Sequence, residues 1–168
     1  MAALEKAVNQ NKLKPLMMDS RVSNAVEIAA KIRRIHQQTP LKVVLIDYIQ
    51  KLPGSIPEER ANHRLKIKNA TSILHETCKS LGIALVLLAQ LRRDSAKDNP
   101  VIESLMESAS LEEDADTVIL IGEVPLRQGE EERDRDQTHP KLIRVAKNRH
   151  GPCDDIQLNF NPKTTQFY

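Results

Sequence analysis

The chain has 168 residues, 40 % hydrophobic and 29 % charged, which is enough for one soluble domain with a substantial core. Its formal net charge of +2 singles out no class of partner. The aromatic set is only Tyr48, Phe160, Phe167 and Tyr168, which argues against a nucleic-acid grip built on base stacking and leaves phosphates as the main contact.

Residues 1–15 read as the tail of a helix and a linker, with no apolar stretch of the signal-peptide kind. Leu16, Met17 and Met18 suggest a short extended segment ending at Asp19. Asp19 or Ser20, and Ser23, offer cap chemistry for a helix in which Val26, Ala29, Ala30, Ile32 and Ile35 recur at helical spacing until Pro40 stops it. Val43, Val44, Leu45 and Ile46 form an unbroken aliphatic run, the pattern of a parallel strand buried on both faces. A polar connection with Pro53, Gly54 and Pro57 follows. Within residues 51–68 the cations Lys51, Arg60, Arg64, Lys66 and Lys68 are set against only Glu58 and Glu59.

Leu65, Asn69, Ile73, Thr77 and Leu81, with Leu74 and Cys78 alongside, predict an amphipathic helix that Gly82 ends. Residues 83–89 are a second buried strand and the longest apolar run, far too short to cross a bilayer. Residues 92–100 form a polar loop that opens on Arg92 and Arg93, and residues 103–115 read as loop and short helix. Residues 117–121 are a third apolar strand. A mobile charged loop over 123–140 follows, with residues 127–136 lacking any apolar side chain. Strands over 142–145 and 156–160 come next, and Asn161, Pro162 and Lys163 turn the chain so that residues 164–168 pair back. Strands alternating with helices predict an α/β domain with a mostly parallel sheet flanked by helices and a C-terminal β-hairpin. Cys78 and Cys153 form no CxxC pair and the histidines show no metal spacing, so both thiols are read as reduced in a cytoplasmic protein.

Four places carry possible chemistry. Asp47 directly follows a buried strand, at the sheet edge where α/β folds bind ligands, and a carboxylate there can hold magnesium through water. Gln90 ends the next strand in the same way, and its amide can both donate to and accept from a phosphate. Residues 107–116 are acidic and precede a strand. Lys147 and Arg149 put two cations at a strand end before Gly151 and Pro152 force a turn, the arrangement of an arginine finger supplied to a phosphate from another subunit. Taken singly, each has an ordinary alternative: a polar strand end, a solvated helix start or a basic hairpin.

The ordered set resembles the DnaB-type replicative helicases, which have RecA-like ATPase domains in a hexameric ring. LIDYIQ resembles their Walker B motif, LAQLRR their sensor, ESASLEEDAD their DNA-contacting loop and following helix, VAKNRHGP their finger segment and IQLNFNPKTTQF their terminal hairpin. The resemblance implies a single partial RecA-like domain of the P-loop NTPase type over residues 1–168, with ATP and Mg2+ as cofactors. Its implied partners are single-stranded DNA and either a homo-oligomeric ring or intact helicase subunits. Asp47 would be the magnesium-side carboxylate, Gln90 the γ-phosphate sensor, and Arg149 the finger acting on a neighbour's ATP with Lys147 supporting it. Glu107 and Ala109, with Arg93, would touch DNA.

The sequence departs from the family at several points. No G-x-x-x-x-G-K-[ST] phosphate loop occurs among these residues, so weak nucleotide binding and little hydrolysis by this chain alone are expected. Met106 stands where the family usually has Arg, Ala109 where it has Gly, and Arg92 where it often has Asn. A sheet without the phosphate-loop strand is expected to expose its edges, making it irregular or prone to association. Two further readings stand beside a motor part: a non-catalytic helicase-like partner or inhibitor of an intact ring, and a recombination ATPase of the same fold, against which the KNRHGP segment counts.

Overall fold

A computed structural model describes residues 16–21, 23–91, 100–102, 109–125 and 136–168. In chain order the elements are α1 (Ala25–Gln38), β1 (Val43–Ile46), a 3-10 turn (Ile49–Lys51), α2 (Pro57–Ala61), α3 (His63–Ser80), β2 (Ala84–Leu87), α4 (Ala109–Asp114), β3 (Thr117–Glu123), β4 (His139–Asn148), β5 (Asp155–Asn161) and β6 (Gln166–Phe167).

Helix α1 starts at Asn24 rather than at the expected Asp19, Ser20 or Ser23. The Asn24 side chain accepts from the Glu27 amide, and Glu27 reaches back to the Asn24 amide, completing a capping box. Asp19 instead pairs with Arg21 and Lys31. The segment before it, where a short extended piece was expected, joins no ladder among the described residues, and Leu16, Met17 and Met18 are exposed.

Helix α3 is the predicted amphipathic helix. Asn62 caps it by accepting from the Leu65 amide, and Gly82 leaves it with a φ of 63°, a conformation that glycine adopts without penalty. Its buried row of Ile67, Ala70, Thr71, Leu74, Thr77 and Cys78 faces α1 and the first sheet. Arg33 of α1 donates to the Thr77 hydroxyl at 2.9 Å and fastens the two helices polar-side as well. Burial pushes the Cys78 thiol up, which keeps it protonated and unreactive, and both Cys78 and Cys153 are free.

The sheet is not mostly parallel. β1 and β2 form a two-stranded parallel sheet, and β3, β4, β5 and β6 form a separate antiparallel one in that order. The reason lies in the connections. A parallel pair needs a helical crossover, and α3 is the crossover that joins β1 to β2. From β3 onward each strand returns directly beside the previous one, which yields antiparallel ladders. The terminal hairpin is present as expected. Phe160 pairs with Phe167, Thr165 takes a φ of 53° in the turn, and Asn159 and Tyr168 exchange backbone hydrogen bonds.

The first sheet is not buried on both faces either. Val44, Ile46, Leu85 and Leu87 pack on the core formed with α1 and α3. In the register that pairs Val43 with Ala84 and Leu45 with Val86, the opposite face is open, with Val43 56 % and Leu45 59 % exposed. No described helix lies on that side to cover them. Likewise Ile119, Ile121, Ile156 and Leu158 are exposed on the antiparallel sheet. No described helix is long and apolar enough to cross a membrane.

Glu59 shows that the basic stretch is less balanced at the surface than its sequence implies. It is buried, and it accepts from the Ser55 amide at 2.6 Å and from Asn69 Nδ2 at 2.8 Å. Burial raises its pKa, but the hydrogen bonds from Asn69, Ser55 and Ile56 outweigh it, so the carboxyl sits below the ordinary glutamate range. A depressed carboxyl stabilises the fold above the unfolded pKa and loses that contribution as pH falls through the folded value. Glu59→Gln replaces one acceptor with a donor facing donors. It should cost about 1–3 kcal/mol at neutral pH by urea denaturation, with the gap to wild type narrowing as pH falls below the ordinary glutamate range.

Gly122 is a second tight point. A methyl group there would lie 2.5 Å from Cγ of the buried Pro100. Gly122→Ala is therefore expected to destabilise by about 1–3 kcal/mol, read as a lowered denaturation midpoint with an unchanged slope.

Candidate functional site

The parallel pair brings Asp47 and Gln90 to one edge. β1 ends at Ile46 and β2 at Leu87, which are register partners, so the residues that follow leave the sheet side by side. Leu88 donates to the Ile46 carbonyl and Ile49 to the Leu88 carbonyl, both at 3.0 Å, extending the pairing past the last ladder rung. The Asp47–Tyr48 peptide is cis, and the chain then enters the 3-10 turn. Ile49 is fully buried and anchors that turn in the core.

Asp47 is exposed, and its carboxylate has no hydrogen-bond or ion-pair partner among the described residues. An unengaged carboxylate at the C-terminal end of a parallel strand suits a hydrated divalent cation. The Gln90 side chain is exposed too, while its backbone is held by a residue that sequence reasoning passed over. Gln50 accepts from the Gln90 amide at 3.2 Å and donates to the Gln90 carbonyl at 3.3 Å. Lys66 of α3 in turn donates to the Gln50 carbonyl at 2.9 Å. Gln50 stands in the same LIDYIQ segment as Asp47, but no spacing rule marks an amide that will pair with a backbone forty residues away.

Lys147 and Arg149 lie at the end of β4 and form a second group. Lys147 donates to the Glu112 and Glu113 carbonyls. Arg149 donates to the Glu113 carbonyl at 2.9 Å and to Asp116 Oδ1 at 3.1 Å, and its amide donates to the Asp116 carbonyl at 2.9 Å. Both cations therefore cap the C-terminal end of α4, where the helix dipole and the orphan carbonyls favour positive charge. Leu111 seats α4 in the same core as α3. Arg149 keeps half of its side-chain surface in solvent, at 50 % exposure.

The expected DNA contacts Arg93 and Glu107 lie outside the described residues, as does Met106. Ala109 is the first residue of α4, and its side chain also lies outside them. Among the described residues no group of His, Cys, Asp and Glu has metal-cage geometry. An open depression of about 400 Å3 on the antiparallel sheet is lined by Arg144, Val145, Ala146, Cys153, Asp154 and Asp155, and holds none of the predicted site residues. Two of its charges satisfy each other. Arg144 bonds both oxygens of Asp155 at 2.7 and 2.6 Å, holds that carboxyl below the usual range, and also donates to the Pro100 carbonyl.

The chain matches the DnaB-like helicase C terminal domain over residues 1–168. It is 33 % identical over 153 residues to the replicative DNA helicase DnaB of Leifsonia xyli, covering 89 % of this chain and 32 % of that protein. It is 29 % identical to the replicative DNA helicase DnaB of Geobacillus stearothermophilus over 144 residues, covering 84 % of this chain and 31 % of the relative. The chain thus spans about a third of the length of the curated relatives it matches. In fold it is similar to a DnaB-like replicative helicase described with its interactions with primase, with a TM-score of 0.76 at 22 % identity over 99 % of this chain and 41 % of the other. It is also similar to the ATPase domain of G40P, with a TM-score of 0.71 at 23 % identity, covering 99 % of this chain and 58 % of that domain. The chain belongs to the DnaB-like helicase C-terminal domain family.

Proposed function

We propose that this chain is a partial RecA-like ATPase domain of a cytoplasmic replicative DNA helicase, one that unwinds duplex DNA by moving on a single strand as a ring. The observation that carries the reading is the placement of Asp47 and Gln90 beyond the same C-terminal edge of the parallel sheet, with the Asp47 carboxylate and the Gln90 side chain unengaged among the described residues. Asp47 takes the magnesium side of the nucleotide site, held through water. Magnesium bound there neutralises phosphate charge. Gln90, whose amide carries both a donor and an acceptor, senses whether a terminal phosphate is present. Arg93, Glu107 and Ala109 remain the proposed contacts to DNA.

Lys147 and Arg149 are the finger pair, directed at ATP on a neighbouring subunit. Their docking on α4 fixes the backbone of the segment while the guanidinium stays half exposed. Turning to a neighbour's phosphate requires Arg149 to exchange both the Glu113 carbonyl and Asp116, an exposed carboxylate, for a more highly charged oxyanion.

The reading carries a first expectation. Titration of this chain with ATP and magnesium should give no saturable binding in the micromolar range, because no loop of backbone amides cradles the phosphates. Tight magnesium-dependent binding, followed by calorimetry, would refute this.

The finger role has its own test. Mixed with an intact DnaB-type ring helicase, the chain should change the steady-state ATPase rate. Arg149→Ala should reduce that change by about tenfold or more, given how much a finger contributes to phosphoryl transfer. Equal effects of wild type and variant would remove Arg149 from the mechanism.

A further inference from the structure

We propose that Gln50 is a positioning residue that couples Asp47 to Gln90, with its side-chain amide as the connecting element. This deepens the site reading above and rests on the roles given there to Asp47 and Gln90.

The argument starts from where the ladder stops. β1 and β2 are paired through Ile46 and Leu87, and main-chain bonds from Leu88 to Ile46 and from Ile49 to Leu88 carry the pairing one step further. At Ile49 the first strand's chain curls into a 3-10 turn, so its backbone no longer runs alongside β2. Among the described residues, Gln90 would then be left with an amide and a carbonyl that no strand meets. The Gln50 side chain meets both, accepting at 3.2 Å and donating at 3.3 Å. One planar amide substitutes for the missing backbone and fixes the Gln90 main chain while leaving its side chain free to act.

Gln50 is itself held from the opposite side. Its carbonyl accepts from Lys66 Nζ at 2.9 Å, which ties it to α3, and its neighbour Ile49 is fully buried. Asp47, Tyr48, Ile49 and Gln50 are consecutive, so the segment carrying the Asp47 carboxylate at one end grips Gln90 at the other. A shift of Asp47 is passed through a core-anchored turn to the backbone of the sensor residue.

The chemistry demands glutamine at this place. Both a donor and an acceptor are needed on one rigid group. Glu at pH 7 keeps the acceptor and loses the donor, Leu keeps neither, and Asn is one methylene shorter. The two bonds to Gln90 lie at the surface, where exchange with water makes them nearly neutral for stability. Their consequence is therefore geometric, and that separates a positioning role from a merely stabilising one.

The test uses the full 168-residue chain, isotope-labelled, with the Gln90 backbone amide observed by NMR. Asp47→Asn should shift the Gln90 amide resonance. In a Gln50→Leu background the same substitution should shift it at least about threefold less, as expected when the connecting group of a mutant cycle is removed. Gln90 amide exchange should also quicken in Gln50→Leu, while the melting temperature changes little. Gln50→Glu keeps the acceptor, so the Gln90 amide should stay protected while the Asp47→Asn shift is again diminished; this variant serves if Gln50→Leu does not fold. An undiminished shift without the Gln50 amide overturns the proposal, as does the lack of any Asp47→Asn shift at Gln90 in the otherwise wild-type chain. No nucleotide enters the measurement, so the coupling stands or falls separately from the ATPase reading.

Discussion

The structure depends on the apolar row of α3. Ile67, Ala70, Leu74 and Cys78 form the surface on which α1, the parallel pair and α4 all rest. Because α3 is also the crossover between β1 and β2, its packing decides that these strands run the same way and end together. The candidate edge follows from that. Asp47 and Gln90 leave the sheet at one edge because two strands of equal length are held in register by one helix. Lys66, on the same helix, reaches the Gln50 carbonyl, so the core helix also contributes to the polar closure of the edge.

Much of this was legible in the sequence, for identifiable reasons. The run Val43 to Ile46 and the period of α3 specify strand and helix locally, and their existence did not depend on distant contacts. Gly82 marked the end of α3 because a positive φ is needed there. The expected burial of β1 on both faces is not met, because an aliphatic run reports apolar character alone, and Val43, Leu45 and Val86 have no described layer above them. The start of α1 was misread for a different reason. Asp19 is a good cap by type, but it is engaged by Arg21 and Lys31, and Asn24 has the matching Glu27 three residues on. Among the proposed site residues, those at strand ends can be proposed from position alone. Gln50 cannot, because its role comes from a contact across forty residues.

The two cations proposed as finger residues are held by a structural contact. Sequence reading placed Lys147 and Arg149 at a strand end and left open what holds them there. The answer is a helix terminus. The carbonyls of Glu112 and Glu113 need donors, and the two side chains supply them. A short helix thereby becomes the support that fixes β4's last turn, and β4's last residues complete the helix.

That support has a consequence for behaviour in different salts. The Arg149–Asp116 pair is exposed on both sides, at 50 % and 63 %, and ions screen such a pair over about 8–10 Å at physiological strength. The carbonyl acceptors of α4 carry no net charge and are screened far less. Raising the ionic strength therefore loosens the carboxylate contact while the main-chain contacts persist. Arg149 then keeps a fixed root through its amide and one tip bond to the Glu113 carbonyl, so the electrolyte around the protein sets how firmly the tip is held without by itself freeing it.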